Sequence, residues 1–363
     1  MKKRLVISGG GTGGHVFPAL AVVEELRARG YEDFYWIGSR KGMEANIVSR
    51  WNIPFFAIPS GKLRRYLSVR NVIDLFKVGA GILKSIFILR KLKPDAVFSK
   101  GGFVSVPPVI AARLLRIPVV SHESDFDPGL ATRMNAASSY RVCIPYAESK
   151  AYFPQNVQER LRHTGNPVRK EVFAGKADEG RRLFGFPAER PLLVVLGGSL
   201  GARQLDQLVH DSLPWLREHW SVLHQRGTEP WDITDEPGVY ISRRFLGPEY
   251  AHVLAAATVV LARAGAGSVW EIGVLAKPAI FLPLVEGSRG DQVRNAKHVA
   301  SGGACIVLPK EGTAESFHTA LDSLRTDSAR RASMSEAWGA IVLKDGAHRV
   351  AEVVSEALER ERP

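Results

Sequence analysis

A histidine closes a run of five glycines in six positions: Gly9-Gly10-Gly11-Thr12-Gly13-Gly14-His15-Val16-Phe17-Pro18. So bare a backbone lets a ligand approach closely, and glycine tolerates positive φ. The first N–H groups of a helix that follows, with the positive end of its dipole, suit a phosphate or a developing anion. An imidazole, titrating near about 6.5, suits general-base chemistry at neutral pH. A structural histidine beside an ordinary strand-to-helix turn accounts for the same residues without chemistry. Gly9, Gly11 and Gly14 also satisfy the G-x-G-x-x-G dinucleotide pattern. That pattern needs an acid at the end of the second strand to hold a ribose. Phe34-Tyr35-Trp36-Ile37 runs instead into Gly38-Ser39-Arg40-Lys41, so a nicotinamide oxidoreductase is the poorer reading.

Three stretches of the second half have chemical potential. Gly197-Gly198-Ser199-Leu200-Gly201 can offer N–H groups and a hydroxyl to a phosphate or sugar, or be no more than a tight turn. Arg263-Ala264-Gly265-Ala266-Gly267-Ser268-Val269-Trp270-Glu271 follows an apolar run as small-residue loop and helix start. There a diphosphate could sit on the helix N-terminus while Glu271 accepts two hydrogen bonds from a ribose diol; a capping box of Ser268 with Glu271 explains the same spacing. Pro283 to Ala296 is a polar loop after a buried strand, as if a sugar were recognised there. Asp125-Phe126-Asp127 is literally D-x-D, a metal-diphosphate spacing in some sugar-transfer enzymes. Two acids at that spacing arise often by chance, so no metal is expected.

Strand and helix signals alternate around these loops. The pattern predicts strands at 4–8, 33–37, 54–58, 95–99, 117–121 and 140–144, an extended piece at 161–164, and helices at 16–29, 41–50, 69–92 and 105–115. Gly165-Asn166-Pro167 can continue neither element type and marks a seam. The pattern then restarts, with strands at 191–196, 220–224, 239–245, 257–262, 279–283 and 304–307, and closing helices at 314–325, 329–342 and 346–361. Strands separated by helices imply two doubly wound parallel sheets.

A length of 363 residues suits two domains of about 150–200 residues each. Composition, 45% apolar and 24% charged, is that of a soluble globular protein. No apolar run approaches the ~18–20 residues of a membrane span, and no signal-peptide core precedes the first strand, so a cytosolic protein is expected. Cys143 and Cys305 form neither a disulfide framework nor a zinc set. The charge is lopsided: residues 1–165 hold 25 Lys+Arg against 12 Asp+Glu, net +13, while 166–363 hold 24 against 25, net −1. An anionic partner of the first half is therefore expected: nucleic acid, anionic lipid or a phosphorylated substrate.

Nine of the cations crowd into 62–93, as Lys62, Arg64, Arg65, Arg70, Lys77, Lys84, Arg90, Lys91 and Lys93, against Asp74 alone. Val69, Val72, Ile73, Phe76, Leu83, Ile86 and Phe87 keep helical spacing within it. Such a basic amphipathic helix can lie on an anionic membrane surface, or be an outer helix with a solvated face. RNA binding is less favoured, because exposed aromatics that stack bases are not interleaved.

Together, these motifs resemble the MurG family, bacterial UDP-N-acetylglucosamine–N-acetylmuramyl-(pentapeptide) pyrophosphoryl-undecaprenol N-acetylglucosaminyltransferases of glycosyltransferase family 28. Six blocks carry the resemblance in order: Gly9 to Pro18, Lys100-Gly101-Gly102-Phe103-Val104-Ser105-Val106-Pro107, His122-Glu123 with Pro128-Gly129-Leu130, Gly165 to Arg169, Gly197 to Arg203, and Arg263-Ala264-Gly265 to Glu271 with Asp291-Gln292 and Asn295-Ala296.

The resemblance implies a GT-B fold of two Rossmann-like domains with the active site in the cleft between them. Residues 1–165 would hold the lipid-linked acceptor and associate with the membrane, 166–345 would bind UDP-GlcNAc, and 346–363 would pack back towards the first domain. Donor contacts would come from Thr12, Gly13, Gly14, Arg169, Ser199, Gly265, Ala266, Glu271 and Gln292, with the uracil on backbone beside Phe245 and Leu246. Gly10, Gly11, Gly101, Gly102 and Phe103 would face the acceptor diphosphate. Arg64, Arg65, Phe76, Lys77, Leu83, Lys84 and Phe87 would meet anionic inner-leaflet lipids. His15 would be the base, or Asp125, which stands where many relatives have Asn. Asp291 stands where relatives often carry Gln or His. The partners implied are UDP-GlcNAc, an undecaprenyl-linked muramyl-pentapeptide diphosphate and other cell-wall synthesis proteins, at the cytoplasmic membrane face, with no metal cofactor and no nucleic acid. A GT-B enzyme with another lipid acceptor, a UDP-GlcNAc 2-epimerase and a non-catalytic nucleotide-sugar-binding module remain alternatives.

Overall fold

Short apolar strands alternating with helices bury their residues in two layers per sheet, and the chain forms two α/β units: Met1–Arg169 with Lys344–Pro363, and Lys170–Leu343. The computed structural model describes residues 3–11, 13–40, 42, 44–61, 69–198, 201–227, 231–286 and 289–360, with backbone alone for 69–73.

The first unit runs β1 (Arg4–Gly9), α1 (Gly13–Ala28), β2 (Asp33–Ser39), α2 (Glu44–Ser49), β3 (Phe55–Ile58), α3 (Val69–Leu92), β4 (Ala96–Gly101), α4 (Val106–Leu114), β5 (Val119–His122), α5 (Leu130–Ala136), β6 (Arg141–Ile144), α6 (Gln155–Gln158) and β7 (Leu161–His163). Its seven strands are parallel in the order β3-β2-β1-β4-β5-β6-β7. Side chains alternate across the sheet with period two. Leu5, Ile7, Trp36 and Phe98 pack with α1 and with α15 (Gly346–Glu359), while Val6, Ile37 and Val97 pack with α3 and α4. Val350, Ala351, Val353, Val354, Ala357 and Leu358 of α15 are buried in the α1 layer.

The second unit runs α7 (Lys170–Phe173), α8 (Ala177–Phe184), β8 (Leu192–Leu196), α9 (Arg203–His219), β9 (Ser221–Gln225), β10 (Tyr240–Arg243), α10 (Tyr250–Ala256), β11 (Val259–Ala262), α11 (Ala266–Val274), β12 (Ala279–Phe281), α12 (Asp291–Ser301), β13 (Cys305–Val307), α13 (Ala314–Thr326) and α14 (Ser328–Ile341). Its six parallel strands lie in the order β10-β9-β8-β11-β12-β13. One face is sealed by α9 and α13 through Leu205, Val209, Phe317 and Leu321.

The seam falls after Arg169, where the sequence pattern places it after Gly165. The cause is local: His122 Nε2 donates to Gly165 O at 3.0 Å, and a Cβ on Gly346 would stand 2.6 Å from Asn166 O. Residues 165–168 therefore pack with the first unit, and the chain returns to it at Lys344. In each unit the strand order reverses once, between β1 and β4 and between β8 and β11. Ligands of open parallel sheets bind outside the carboxyl ends of the strands at such switch points, and there the glycine loops lie.

Candidate active site

In the first unit β1 and β4 end side by side, with Gly9 paired to Gly101. His15 lies in the first turn of α1, its ring against the second loop: a Cβ on Gly102 would stand 3.3 Å from His15 Nε2 and 2.9 Å from Gly10 O. Gly101 and Gly102 have φ of 92° and 77°, which a side chain would strain. Ser105 Oγ donates to Gly102 O at 2.8 Å and accepts from Asn135 Nδ2 at 2.9 Å, which fixes this loop from behind. The Phe103 ring lies against Gly11. His15, Gly10, Gly11, Gly13, Gly14, Gly101, Gly102 and Phe103 thus form one neighbourhood; Thr12 lies outside the described residues.

A carboxylate does stand at this loop, although none ends the second strand in sequence. Glu44 is buried and accepts from Ser39 N at 2.7 Å, Ser39 Oγ at 2.6 Å and Gly11 N at 3.3 Å. The N–H of Gly11 therefore belongs to Glu44. The spacing of Glu44 from the strand hid this, because it reaches back from the start of α2.

Beneath Gly101 the Lys100 side chain is fully buried and its ammonium donates to Ser124 Oγ. Burial pulls Lys100 down to about 8, against the pull of Glu123 and Asp125. Glu123 is spent on backbone: it accepts from the N–H groups of Ser124, Asp125 and Gly129 at 2.7, 3.1 and 3.0 Å, and so shapes the loop that presents Asp125. Burial first, then the charge of Lys100, hold His122 neutral, well below the ordinary histidine range. Asp127 of the D-x-D pair is bound by Arg133 at 2.8 Å. Arg169 stacks over Phe17, its Cζ 4.8 Å from the ring centroid, within this unit.

In the second unit, the Ser268–Glu271 capping box expected as one explanation does not form. Gly265 is the N-cap of α11 with no side-chain cap, which puts Ser268 a turn too late. Glu271 Oε2 instead accepts from Tyr250 Oη at 2.6 Å. A Cβ on Gly265 or Gly267 would meet nothing within 4 Å, and neither has positive φ. The fold therefore has no need of glycine at either position, and the missing side chains leave a bare helix N-terminus. Asn295 Nδ2 donates to Ala264 O at 3.1 Å, and Arg263 Nη1 donates to Gln204 Oε1 and Leu282 O at 3.0 and 2.8 Å. These bonds hold the loop. Gln292 Oε1 accepts from Leu284 N at 2.9 Å, which leaves its NH₂ to face outward chemistry. Leu246 is buried, whereas the Phe245 side chain is 65% exposed. Ser199 lies outside the described residues.

On α3, the inward face carries Asp74, Val78, Gly81, Ser85, Ile88 and Leu89. Phe76, Leu83 and Phe87 are 76%, 70% and 69% exposed at i, i+7 and i+11, beside Lys77, Lys84, Arg90 and Lys91. The apolar residues of this stretch are thus divided between core and solvent. Among the described residues no helix is long and apolar enough to cross a membrane. Arg64 and Arg65 lie outside the described residues.

Sequence reasoning gave no role to Lys100, Ser124, Glu44, Gly267 or Tyr250. A lysine ending an apolar strand before Gly-Gly was the available signal for the first; Tyr250 gave none.

Two parallel-sheet units, each with a glycine-rich loop and a helix start at its switch point, are the architecture of GT-B glycosyltransferases. A solved structure of Acinetobacter baumannii MurG superposes with a TM-score of 0.75 at 25% identity, covering 98% of this chain and 99% of that one. The chain belongs to glycosyltransferase family 28, whose N-terminal domain matches residues 5–144 and whose C-terminal domain matches 192–350. A Treponema denticola protein named UDP-N-acetylglucosamine–N-acetylmuramyl-(pentapeptide) pyrophosphoryl-undecaprenol N-acetylglucosamine transferase is 45% identical, covering 84% of each chain. The protein of the same name from Lachnoclostridium phytofermentans is 41% identical over 85% of this chain and 86% of its own.

Proposed function

We propose that this glycosyltransferase moves N-acetylglucosamine from UDP-GlcNAc to the 4-hydroxyl of undecaprenyl-diphospho-N-acetylmuramoyl-pentapeptide, a step of peptidoglycan synthesis. The substrates in the names of its relatives support this reading. The structural observation that carries it is the bare start of α11, where Gly265 and Gly267 lack side chains that the fold would accommodate.

The diphosphate of the donor sits on that helix N-terminus at Gly265 and Ala266, and the Ser199 hydroxyl is assigned to the same diphosphate. Glu271, steadied by Tyr250, accepts from the ribose diol. The backbone by Phe245 and Leu246 takes the uracil, and the Gln292 NH₂ donates to a sugar hydroxyl. Thr12, Gly13, Gly14 and Arg169 add donor contacts. The acceptor diphosphate lies on the loops of Gly10-Gly11 and Gly101-Gly102-Phe103. Because Glu44 takes the Gly11 N–H, that loop contributes its other N–H groups.

The reaction is one inverting displacement. The acceptor 4-hydroxyl oxygen attacks the anomeric carbon, the bond from that carbon to the UDP oxygen breaks, and the hydroxyl proton passes to a base. His15 is the base of this reading and Asp125 its rival. Helix-end potential offsets the charge that grows on UDP, so no metal is required. The exposed apolar and basic face of α3 rests on anionic lipid at the cytoplasmic face of the membrane, where a lipid-linked acceptor is reached.

The deciding experiment measures UDP release from UDP-GlcNAc in EDTA, with and without a short-chain muramyl-pentapeptide diphosphate. Acceptor-dependent release that fails with UDP-glucose is the expected result. Donor binding without acceptor-dependent release would overturn the acceptor assignment.

A further inference from the structure

At the opposite, amino ends of the first unit's strands, where β5 and β6 begin and just before β7, a cavity of about 520 Å³ is lined by Arg113, Arg116, Arg141, Arg160, Arg360 and Tyr140. Among the described residues no acidic one lines it. Among the described residues none of the five guanidinium groups pairs with a carboxylate; their side-chain bonds go to neutral oxygens. Arg113 donates to Ser138 Oγ at 3.3 Å, Arg160 to Ser139 O at 3.3 Å and Arg141 to Tyr140 O at 3.4 Å. The buried Arg141 Nε has no partner at all. Arg141 and Arg360 flank Tyr140, their Cζ atoms 4.1 and 4.4 Å from its ring centroid.

Ordinary helix-end electrostatics account for part of this. Arg113 lies in the last turn of α4 and Arg116 just beyond it, where a cation meets the negative end of the dipole. Arg360 is likewise the C-cap of α15 and Arg160 follows the end of the short α6, whereas Arg141, the first residue of β6, has no helix end to answer to. Arg116 also holds a φ of 57°, a left-handed conformation that favours glycine or asparagine after a helix, yet the residue is arginine. Five like charges around one hollow repel each other, and each guanidinium keeps N–H donors unused. An anion with several acceptor oxygens would satisfy both.

The geometry points to a binding site for a phosphate-bearing anion in this cavity, separate from the glycine loops. Guanidinium forks match phosphate oxygens bidentately, so the ligand is a pyrophosphate-like group or a phospholipid headgroup. Both sources share that chemistry. Leu114 beside the cavity is 63% exposed, and α4 packs on α3, so a headgroup could reach it from the face that carries Phe76, Leu83 and Phe87.

The test compares the full chain with R113Q/R360Q and with R50Q/R330Q, which removes two exposed cations elsewhere. Inorganic pyrophosphate is titrated calorimetrically, and vesicles of phosphatidylglycerol or phosphatidylcholine are sedimented with each protein. The expected result is that R113Q/R360Q binds pyrophosphate, or phosphatidylglycerol vesicles, at least tenfold more weakly than the other two proteins. A loss towards pyrophosphate alone identifies a soluble phosphate, and a loss towards vesicles alone identifies a headgroup. Equal binding by all three proteins in both arms, or no binding to either probe, overturns the site. Turnover with a short-chain acceptor should be unchanged in R113Q/R360Q, which reports that it folds and keeps this question apart from the transfer reaction.

Discussion

Tyr250 Oη donates to Glu271 Oε2 across 2.6 Å, from the first residue of α10 to the middle of α11. The bond fixes one carboxylate oxygen and so orients the other. If Glu271 holds the ribose, Tyr250→Phe should weaken UDP-GlcNAc binding by about fivefold, the worth of one hydrogen bond of ~1 kcal/mol. Glu271→Ala should cost more than tenfold. In both variants kcat at saturating donor should change little; calorimetric Kd values and steady-state kinetics separate the two effects. Unchanged binding in Glu271→Ala would sink the ribose assignment.

Gly267→Ala should make the protein more stable and a poorer enzyme. The added methyl meets nothing within 4 Å and lies in a helix, where alanine is favoured over glycine by ~0.5–1 kcal/mol. A diphosphate on the helix start would collide with it. The thermal midpoint should rise slightly while the donor Kd rises about tenfold or more. A stabilised variant that binds donor normally would show that the space beside Gly267 is not the diphosphate site.

The elements were legible because their signals are local. The expected helix at 69–92 matches Val69–Leu92, and the strands at 140–144 and 191–196 are displaced by no more than a residue. Short helices such as α5 and α10 were missed, since seven residues carry too little periodicity to separate from loop. The glycine loops announced themselves by composition. Tyr250 and Glu44 did not, because each acts on a partner that only the folded chain brings near, and the Ser268–Glu271 spacing suggested a cap because sequence cannot show that α11 starts at Ala266. The arginines around Tyr140 are scattered from 113 to 360, so only the fold assembles them.

Lys100 should give the stability of the first unit a rising limb in alkali. Its folded value of about 8 lies below the ordinary 10.5, so between those values the unfolded chain holds a proton that the folded one has released. Stability from this group therefore increases as pH rises from 8 to 10.5, and the full burial cost, roughly 3 kcal/mol, is present below 8. Lys100→Met lacks the term. The stability of Lys100→Met minus that of the wild type should fall by that amount between pH 7 and pH 10.5, whatever its starting sign. Chemical denaturation across that range measures it, and a flat difference would mean that the ammonium is not desolvated.

The outer face of α3 makes a prediction in which two kinds of residue act differently. Replacing Phe76, Leu83 and Phe87 together by Ser should leave stability nearly unchanged, since all three are mostly exposed, and reduce vesicle binding at least tenfold on any lipid. Lys84→Gln should weaken binding only to anionic vesicles, by roughly 1 kcal/mol at low salt. Lys77→Gln should do less, because Asp74 already pairs with it at 2.9 Å. Sedimentation with neutral and anionic vesicles distinguishes these outcomes, and equal binding by the triple variant would remove α3 from the membrane.

His15 and Asp125 differ in what the structure asks of each. The His15 ring is held against Gly102 between the two glycine loops. Asp125 acts on the buried Lys100 ammonium, holding its affinity for the proton up, and its backbone N–H is bound by Glu123 at 3.1 Å. A carboxylate that supports a buried cation does so by staying ionised, which suits an electrostatic role better than repeated proton transfer. His15→Ala should therefore lower kcat by about 10²-fold with donor Kd unchanged, and should abolish the acidic limb of the kcat profile. Asp125→Asn should keep kcat within about tenfold and lower the stability of the first unit instead, because Lys100 loses part of its compensation. The reverse pattern, with His15→Ala near normal and Asp125→Asn down by about 10²-fold, would make Asp125 the base and leave His15 to position the acceptor.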